Sequence, residues 1–329
     1  MPAAIPTEAL LEAARWAPSL YNTQPWRFRP GPDAWEVRWD PDCELPVADP
    51  QRVALMMNLG AVIEYLAVAA SAHGLDVQFV PPEFKGTQPN LGFIAGKLQF
   101  IARDAEPSPL LPYLATRQTS RKPYRNAPLP PGVLDELQAA AASAGCWLFH
   151  TTERTAITAI AAEAARGTRA QFDEPERYAE FHRWLRPQPS ADGLDVPAMD
   201  FAGPLGSFWK RFLPPPRMMR NPLAQRALAA QQKSLVQSAP AVCMLATNSR
   251  EWKGWIQAGR ALSRVWLHAA RHGLVTHPIP AALHTSDGRK LITDRLGVEG
   301  DLQVTCLFRL GESASAPRSG RLDAESLLV

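Results

Sequence analysis

The sequence predicts a mixed α+β protein assembled from two related halves. Two helical blocks of similar sequence lie 199 residues apart, beginning near Asn58 and near Gln257. A strand-like run follows each block, and a shorter helical run followed by a strand precedes each of them. An internal repeat of this kind favours two copies of one structural unit. A chance similarity between two alanine-rich amphipathic helices is the alternative.

Each repeated block predicts one long amphipathic helix. Gly60 corresponds to Gly259, and both blocks end in His-Gly-Leu, with the glycines at 74 and 273. Glycine commonly ends a helix because it adopts left-handed backbone angles without strain. Glycine inside a helix costs about 1 kcal/mol relative to alanine. We therefore expect another helix to cross closely at Gly60 and at Gly259.

The elements around these helices are predicted from local patterns. The run LLEAARWA predicts a short first helix that ends at a proline, and a β-hairpin follows, with Trp35, Val37 and Trp39 on one face. In the second half, a helix over 134–143 and the strand-like run CWLFHTT take the same places.

These elements predict two domains of unequal length. Residues 1–112 form the first half and residues 113–329 form the second. We expect the long glycine-bearing helices of the two halves to pack together, so that one chain mimics a homodimer.

Composition places the chain among globular proteins. Hydrophobic residues make up 46% and charged residues 20%, and the net charge of +3 is too small to indicate a nucleic-acid or membrane partner. No secretory signal is expected at the N-terminus, and no uninterrupted apolar run reaches the ~18 residues of a membrane span. The four cysteines include no CxxC pair, which predicts reduced thiols and a cytoplasmic protein.

Common catalytic motifs are missing. The sequence has no GxGxxG and no GxSxG, and GFIAGK at 92–97 is one residue short of a P-loop. His268 and His272 are four residues apart on one predicted helix, but no glutamate follows His268 as it does in zinc proteases. We interpret the two histidines as an ordinary pair on a helix surface. We therefore predict no metal site and name no catalytic acid, base or nucleophile.

The segment APSLYNTQPWRF, residues 17–28, concentrates hydrogen-bonding side chains in one loop. Pro18 ends the preceding helix, so the backbone groups after it are free for a ligand. Ser19, Asn22 and Gln24 supply both donors and acceptors, which suits the edge of a planar heterocycle. A polar turn that caps the next element is the alternative.

A second segment, RQTSRKPY at 117–124, alternates two arginines with a threonine. In an extended chain Arg117, Thr119 and Arg121 would project to the same side. Two guanidinium groups and a hydroxyl group make a good phosphate clamp. A solvated basic linker between the halves is the alternative.

Together the two segments resemble motifs of the nitroreductase superfamily. APSLYNTQPWRF is similar to the flavin-ring loop of that superfamily, and RQTSRKPY is similar to its FMN-phosphate segment RxSxR, with Thr119 in the serine position. The duplicated layout resembles the Acg-type branch, in which two nitroreductase-like halves are fused. The resemblance implies a nitroreductase-like fold, with FMN as cofactor. The residues that it implies as FMN contacts are Pro18, Ser19, Leu20, Asn22, Gln24, Arg117, Thr119, Arg121, Pro278, Ile279, Arg318 and Arg321.

The last four of these residues come from weaker matches. THPIPA at 276–281 resembles the segment whose backbone lies against the flavin, which implies Pro278 and Ile279. The ending PRSGRLDAES offers Arg318 and Arg321 as a further phosphate contact, and the spacing leaves open which of them serves.

The resemblance also implies a stoichiometry. Ordinary nitroreductases are homodimers in which one subunit supplies the arginines and the other supplies the ring loop. Here the first half has the ring loop without RxSxR, whereas the second half has RxSxR but carries AAASAGCWLF in place of the ring loop. One composite site, and hence one FMN per chain, is expected between the halves. The chain can then be monomeric because it is its own pseudo-dimer.

A proline-rich segment, 186–222, has no counterpart in the first half. Long loops of this kind are often active-site lids, and the Acg-type resemblance implies a lid over the flavin. A surface excursion or a partner-binding arm is the alternative.

The resemblance implies an FMN-dependent oxidoreductase that moves hydride from NAD(P)H to a nitroaromatic or quinone-like acceptor by ping-pong turnover. A closed lid would instead give a flavin-sequestering protein with little or no turnover. The expected partner is a small-molecule acceptor, with no nucleic acid and no membrane.

Overall fold

The computed structural model describes residues 5–82, 93–196, 221–314 and 318–329. The mixed α+β fold class is confirmed. Within these ranges the α-helices are α1 (Thr7–Ala14), α2 (Val53–Ser71), α3 (Val133–Ala142), α4 (Arg154–Asp173), α5 (Pro175–Arg183), α6 (Pro222–Gln237), α7 (Trp252–Arg271) and α8 (Ser286–Arg295). The strands are β1 (Trp26–Arg29), β2 (Ala34–Trp39), β3 (Leu75–Val80), β4 (Ile94–Ala102), β5 (Trp147–Thr151), β6 (Leu185–Arg186), β7 (Leu194–Asp195), β8 (Ala241–Thr247), β9 (Val275–Pro278) and β10 (Gln303–Gly311).

Two antiparallel sheets of four strands carry the fold. Their orders are β1-β2-β4-β3 and β5-β8-β10-β9. In both sheets the first and third strands in chain order lie at the edges, and the second and fourth pair in the centre. The same order in two sheets is what two copies of one unit would give. The predicted boundary between residues 112 and 113 falls in the connection from β4 to α3 and stays a prediction.

The long helices α2 and α7 pack against each other through their glycines. A methyl group at Gly60 would collide with the carbonyl oxygen of Ile256, and one at Gly259 would collide with that of Met57. The predicted close crossing is therefore confirmed. Ile256 lies 199 positions after Met57, the same spacing as between the glycines, so the contact is reciprocal. Reciprocal contacts of this kind are typical of interfaces with two-fold symmetry.

The predicted helix ends and hairpin are also present. Gly74 and Gly273 follow α2 and α7 with φ values of 67° and 70°, the left-handed conformation that glycine favours. β1 and β2 form the antiparallel hairpin, and Trp35, Val37 and Trp39 are all buried on one side of β2.

Helix α2 is long and apolar enough, by length and composition, to cross a membrane. Most of it is buried inside the protein, and residues such as Tyr65 and Leu66 have no exposed surface. It belongs to one hydrophobic cluster that includes side chains from both sheets and from both long helices. We therefore interpret α2 as a core helix. Within the core, Tyr65 of α2 lies within hydrogen-bonding distance of Arg117.

Candidate functional site

The polar loop between α1 and β1, residues 15–25, has a strained backbone. Tyr21, Asn22 and Gln24 have φ values of 53°, 56° and 46°. Residues other than glycine are rare in this left-handed region. Such conformations cost about 1–3 kcal/mol each and persist only where the surroundings fix them. Part of that support is local, because the backbone N–H of Gln24 donates to Ser19 Oγ at 3.0 Å.

Distant segments hold the rest of the loop. Gln24 Nε2 donates to the carbonyl oxygen of Ala191 at 2.8 Å, and Gln24 Oε1 accepts from the backbone N–H of Leu322 at 3.0 Å. Asn22 Nδ2 donates to the carbonyl oxygen of Gly320 at 3.2 Å. Gln24 has no exposed surface. Its amide therefore fixes the loop from within, and the predicted side-chain contact with a ligand is not what this geometry shows.

Residues of the loop that keep solvent-accessible surface lie before Asn22 in the chain. Pro18, Ser19 and Leu20 are half-buried, whereas Asn22 is buried. The backbone N–H of Leu20 donates to Asn58 Oδ1 of α2 at 3.1 Å. This bond ties the accessible residues to the long helix of the same half.

Arg117 lies where the two long helices meet. Its Nε donates to the hydroxyl oxygen of Tyr65, on α2, at 2.9 Å, and its guanidinium lies 5.7 Å from the ring centre of Trp266, on α7. The side chain is buried, yet its Nη1 has no hydrogen-bond partner among the described residues. A buried N–H group without a partner is costly, and a bound anion would satisfy it.

The rest of the arginine segment pairs with β9 at Thr119 and Ser120. Thr119 pairs with Thr276 of β9 in a parallel bridge, and the backbone N–H of Ser120 donates to the carbonyl oxygen of Thr276 at 3.1 Å. Arg121 is half-buried and has no hydrogen bond or ion pair with the part of the chain that the structure describes. Burial, and then the positive charge of Arg309, lower the pKa of Arg121.

No sequence pattern singles out Arg309, although this residue organises the segment. Arg309 is fully buried in β10, and its Nη2 donates to the carbonyl oxygens of Ser120 at 3.0 Å and Lys122 at 2.9 Å. Its Nε donates to His277 Nδ1 at 3.1 Å. Burial, followed by the positive charges of Arg309 and Arg121, holds the pKa of His277 well below its usual value, so the ring stays neutral and can accept.

The two C-terminal candidates for a phosphate contact differ in their exposure to solvent. Arg318 is exposed. Arg321 is half-buried, and its Nη1 donates to the carbonyl oxygens of Ser319 and Gly320. Its Nε is buried without a partner in the described residues. Burial and then the charge of Arg117 lower the pKa of Arg321 to about 10. Arg321, and not Arg318, is therefore the C-terminal residue that we group with Arg117 and Arg121 as candidate phosphate contacts, and we call these three residues the arginine cluster.

The described beginning of the proline-rich segment carries a buried carboxylate. Asp195, at the end of β7, is buried, and its Oδ1 accepts from the backbone N–H of Ser190 at 3.1 Å. Burial raises the pKa of Asp195, whereas the charges of Arg121 and Arg321 oppose that rise. The sequence offered no signal for Asp195, which lies within the proline-rich segment.

The weaker candidates of the second half lie on β9 and just after it. Pro278 is half-buried at the end of the strand. Ile279 has no exposed surface, packs in a hydrophobic cluster with Ile157 and Val242, and donates its N–H to the carbonyl oxygen of Leu307 at 2.8 Å. The side chain and amide of Ile279 are thus used inside the protein.

The proline-rich segment is described only at its two ends, and residues 197–220 lie outside the described residues. The described beginning contacts the polar loop. Besides the bond from Gln24 to Ala191, the backbone N–H of Gly193 donates to the carbonyl oxygen of Asn22 at 3.2 Å. The predicted lid over a ligand stays a prediction.

The two histidines of α7 do more than occupy its surface. His268 Nδ1 and His272 Nε2 lie 2.6 and 2.7 Å from the two carboxylate oxygens of Glu136 on α3. The interpretation as an ordinary surface pair was therefore incomplete, because a residue from another helix could not be read from their spacing. In the described ranges no group of three or more His, Cys, Asp or Glu side chains is arranged to hold a metal ion.

Comparison with known proteins assigns the chain to a family. The model of the nitroreductase family matches residues 114–312, more than half of the chain. This chain belongs to the nitroreductase family. The matched range includes Arg117, Arg121 and Arg309 of this nitroreductase-family protein. The polar loop and Arg321 lie outside it.

The named relatives and the solved structures share low sequence identity with this chain. A Mycobacterium tuberculosis H37Rv protein, provisionally named an NAD(P)H nitroreductase, is 27% identical over 320 residues, which span 94% of this chain and 86% of the relative. A nitroreductase structure with bound FMN from Bacteroides fragilis shares 13% identity and a TM-score of 0.42, over 66% of this chain and 96% of that one. An FMN-bound nitroreductase structure from Desulfitobacterium hafniense shares 12% identity with a TM-score of 0.43. That match covers 66% of this chain and 95% of the other.

Proposed function

We propose that this nitroreductase-family protein is an FMN-dependent NAD(P)H oxidoreductase that holds one FMN between its two halves. Family membership and the partnerless N–H groups of the arginine cluster support the proposal. The name of the mycobacterial relative supports NAD(P)H as the reductant. The single observation that carries the proposal is the position of Arg117, which contacts both long helices.

The residues of the arginine cluster fit a phosphate group. Arg117 Nη1 and Arg321 Nε are buried donors without partners among the described residues, and Arg121 forms no described hydrogen bond or ion pair. A phosphate offers charged acceptor oxygens to all three guanidinium groups, and such charge-assisted bonds are among the strongest in proteins. Arg309 has a positioning role, because it donates to the carbonyl oxygens of Ser120 and Lys122, the residues on either side of Arg121.

The polar loop supplies the other wall of the proposed site. Pro18, Ser19 and Leu20 retain accessible surface, so we assign contact with the flavin ring to them and to their backbone groups. We assign Asn22 and Gln24 the role of holding the loop in its strained form. Backbone strain that distant contacts maintain is often found where a ligand is bound.

A flavin bound here would supply the redox chemistry, taking hydride from NAD(P)H and passing it to a nitroaromatic or quinone-like acceptor in a ping-pong sequence. The protein's own residues bind the cofactor, orient it and restrict access of water. We name no catalytic acid or base. We also propose a reducing, cytoplasmic location, since all four cysteines are free thiols, three buried and one half-buried.

A second candidate function is flavin sequestration with little or no turnover. The observation that favours it is the pair of bonds that joins the beginning of the proline-rich segment, at Ala191 and Gly193, to the polar loop. Mixing the FMN-loaded protein with NAD(P)H without oxygen distinguishes the two functions. Rapid loss of the oxidised flavin absorption supports the oxidoreductase. Persistence of that absorption supports sequestration.

The phosphate assignment is tested by substitution. The double variant Arg117→Ala, Arg121→Ala should fold but purify without flavin colour, with FMN affinity reduced by at least about 100-fold, since it lacks two charge-assisted partners. Arg125→Ala is the matched control, because Arg125 is exposed in the same segment and should leave the affinity unchanged. A double variant with full FMN occupancy would refute the assignment.

A further inference from the structure

Helix α5 of the second half contacts two segments of the first half. One is the polar loop, residues 15–25, and the other is the connection between β2 and α2, residues 40–52. In the first contact, Phe181 of α5 meets Tyr21 edge to face, with 5.4 Å between the ring centres. Tyr21 is one of the strained residues, with a φ of 53°. Its side chain is therefore held by a helix from the other half.

The second contact is made by a carboxylate. Glu180 Oε1 accepts from the backbone N–H of Val47 at 3.0 Å, and Glu180 Oε2 accepts from that of Ala48 at 2.8 Å. Hydrogen bonds from backbone N–H groups to a carboxylate are stronger than those between neutral groups. Arg183, one turn further along α5, adds a bond from its Nη2 to the carbonyl oxygen of Asp42 at 3.0 Å. Glu180 thus anchors α5 on the first half through both of its oxygens.

The anchored connection and the polar loop share one small hydrophobic cluster. Its members come from these two segments and from the residue that directly follows α5, and they are Cys43, Leu45, Ala48, Leu20, Tyr21 and Trp184. Ala48, whose N–H binds Glu180, therefore packs in the same cluster as Leu20, a proposed contact of the flavin ring. Displacement of the anchored connection would disturb the polar loop through these contacts.

The segment that starts at Glu180 contacts all three strained residues of the polar loop. The first of them packs on α5, as described above. Further along the same segment, the carbonyl oxygen of Ala191 accepts from Gln24 Nε2 at 2.8 Å. The backbone N–H of Gly193 donates to the carbonyl oxygen of Asn22 at 3.2 Å. We call residues 180–193 the anchoring segment, because each positive φ of the loop lies at one of its contacts.

We propose that Glu180 is a positioning residue for recognition of the flavin ring: it fixes the anchoring segment to the first half, and that segment holds the strained polar loop. The inference rests on the proposed function, because it takes the polar loop as the wall that meets the ring. Glu180 acts through Phe181 and Tyr21 and not by touching the ligand. The second half then contributes to both ends of the cofactor, with arginines for the phosphate and the anchoring segment for the ring.

Amide hydrogen exchange of the flavin-free protein tests the anchor without any ligand. Glu180→Gln keeps the shape of the side chain but turns an NH₂ group towards one of the two backbone donors. Exchange at residues 19–24 should become about tenfold faster than in wild type, since the hydrogen bonds of the loop open more often. Residues 143–146, the corresponding connection of the second half, should keep their wild-type rates. Unchanged exchange at residues 19–24 would overturn the inference.

Ligand binding separates the ring from the phosphate. Glu180→Gln should bind FMN about tenfold more weakly than wild type. Its affinity for inorganic phosphate, measured by competition with FMN, should be unchanged, because the arginine cluster is intact. Glu176→Gln is the matched control, since Glu176 is exposed on the same helix and should alter neither affinity. Wild-type FMN affinity for Glu180→Gln, or equal losses for FMN and phosphate, would count decisively against a role at the ring.

A second variant covers the case in which thermal melting shows Glu180→Gln to be unfolded. Phe181→Leu keeps both bonds of Glu180 but removes the ring contact with Tyr21, so FMN affinity should fall about threefold with phosphate affinity unchanged. Wild-type FMN affinity for Phe181→Leu would then refute the inference. If wild type itself binds no FMN, the proposed function fails, whereas the exchange rates at residues 19–24 still decide whether Glu180 holds the loop.

Discussion

The two halves share a strand order, but they differ in the connection that leads from the first helix into the sheet. In the second half, residues 143–146 join α3 to β5 in a short turn. Gly145 takes a φ of 68°, and the backbone N–H of Cys146 donates to the carbonyl oxygen of Ala141 at 3.1 Å. This is an ordinary glycine-terminated helix end.

In the first half, residues 15–25 join α1 to β1, and no glycine occurs among them. Tyr21, Asn22 and Gln24 take positive φ values instead, with support from segments far away in the chain. The arginine segment belongs to the second half, where it precedes α3. The shared elements form the scaffold, whereas the unequal connections carry the residues that we propose as ligand contacts.

The largest expected effect comes from the contact that the halves share. Gly60→Leu should destabilise the protein by about 3 kcal/mol or more, because the added side chain meets the backbone carbonyl of Ile256, which cannot move without α7. Urea unfolding monitored by circular dichroism measures the change. Gly259→Leu should cost a similar amount, since the contact is reciprocal.

Ala227→Leu is the control for this pair, because Ala227 is exposed on α6 and should tolerate leucine within about 0.5 kcal/mol. If Gly60→Leu were as stable as wild type, the close reciprocal crossing would be wrong.

A smaller effect is expected from the polar loop. Gln24→Ala leaves the carbonyl oxygen of Ala191 and the N–H of Leu322 without their partner, which should cost about 1–3 kcal/mol. FMN affinity should also fall, because the strained loop loses its support. Gln138→Ala removes a single side-chain bond from the second half and should cost less than about 1.5 kcal/mol with no change in FMN affinity. Wild-type stability for Gln24→Ala would contradict the role assigned to its amide.

The smallest effect distinguishes the two His-Gly-Leu helix ends. His272 binds Glu136, whereas its counterpart His73 is exposed. Bonds from His268 and then His272 lower the pKa of Glu136, so its contribution to stability is present above the pKa of an unfolded glutamate and is lost as pH falls towards the lower folded value. Glu136→Gln should therefore lower stability by under about 1 kcal/mol near pH 6 and by less near pH 3. Unfolding curves at both pH values test this, and His73→Ala should change neither.

Local sequence patterns predicted the scaffold well because they depend on near neighbours in the chain. The 199-residue repeat, the interior glycines and the His-Gly-Leu endings correctly predicted two long helices that cross at Gly60 and Gly259. The alternation in β2 also placed Trp35, Val37 and Trp39 on its buried side.

The partners of the site residues could not be predicted in this way. Gln24 is held by Ala191 and Leu322, which are 167 and 298 residues distant. Arg309 gave no local signal, because only the tertiary fold brings it to the arginine segment. A pattern can identify a polar side chain, but it does not reveal whether that side chain faces a ligand or another part of the protein. The assigned cofactor contacts and the Acg-type branch therefore stay predictions.

The central claim is that the two halves complete one site between them. The most direct test is the number of FMN molecules bound per chain, from the absorbance of flavin released on denaturation and an independent protein concentration, after saturation with FMN and removal of the excess. We predict one FMN per chain. A value of two, with a site in each half, or of none would contradict it.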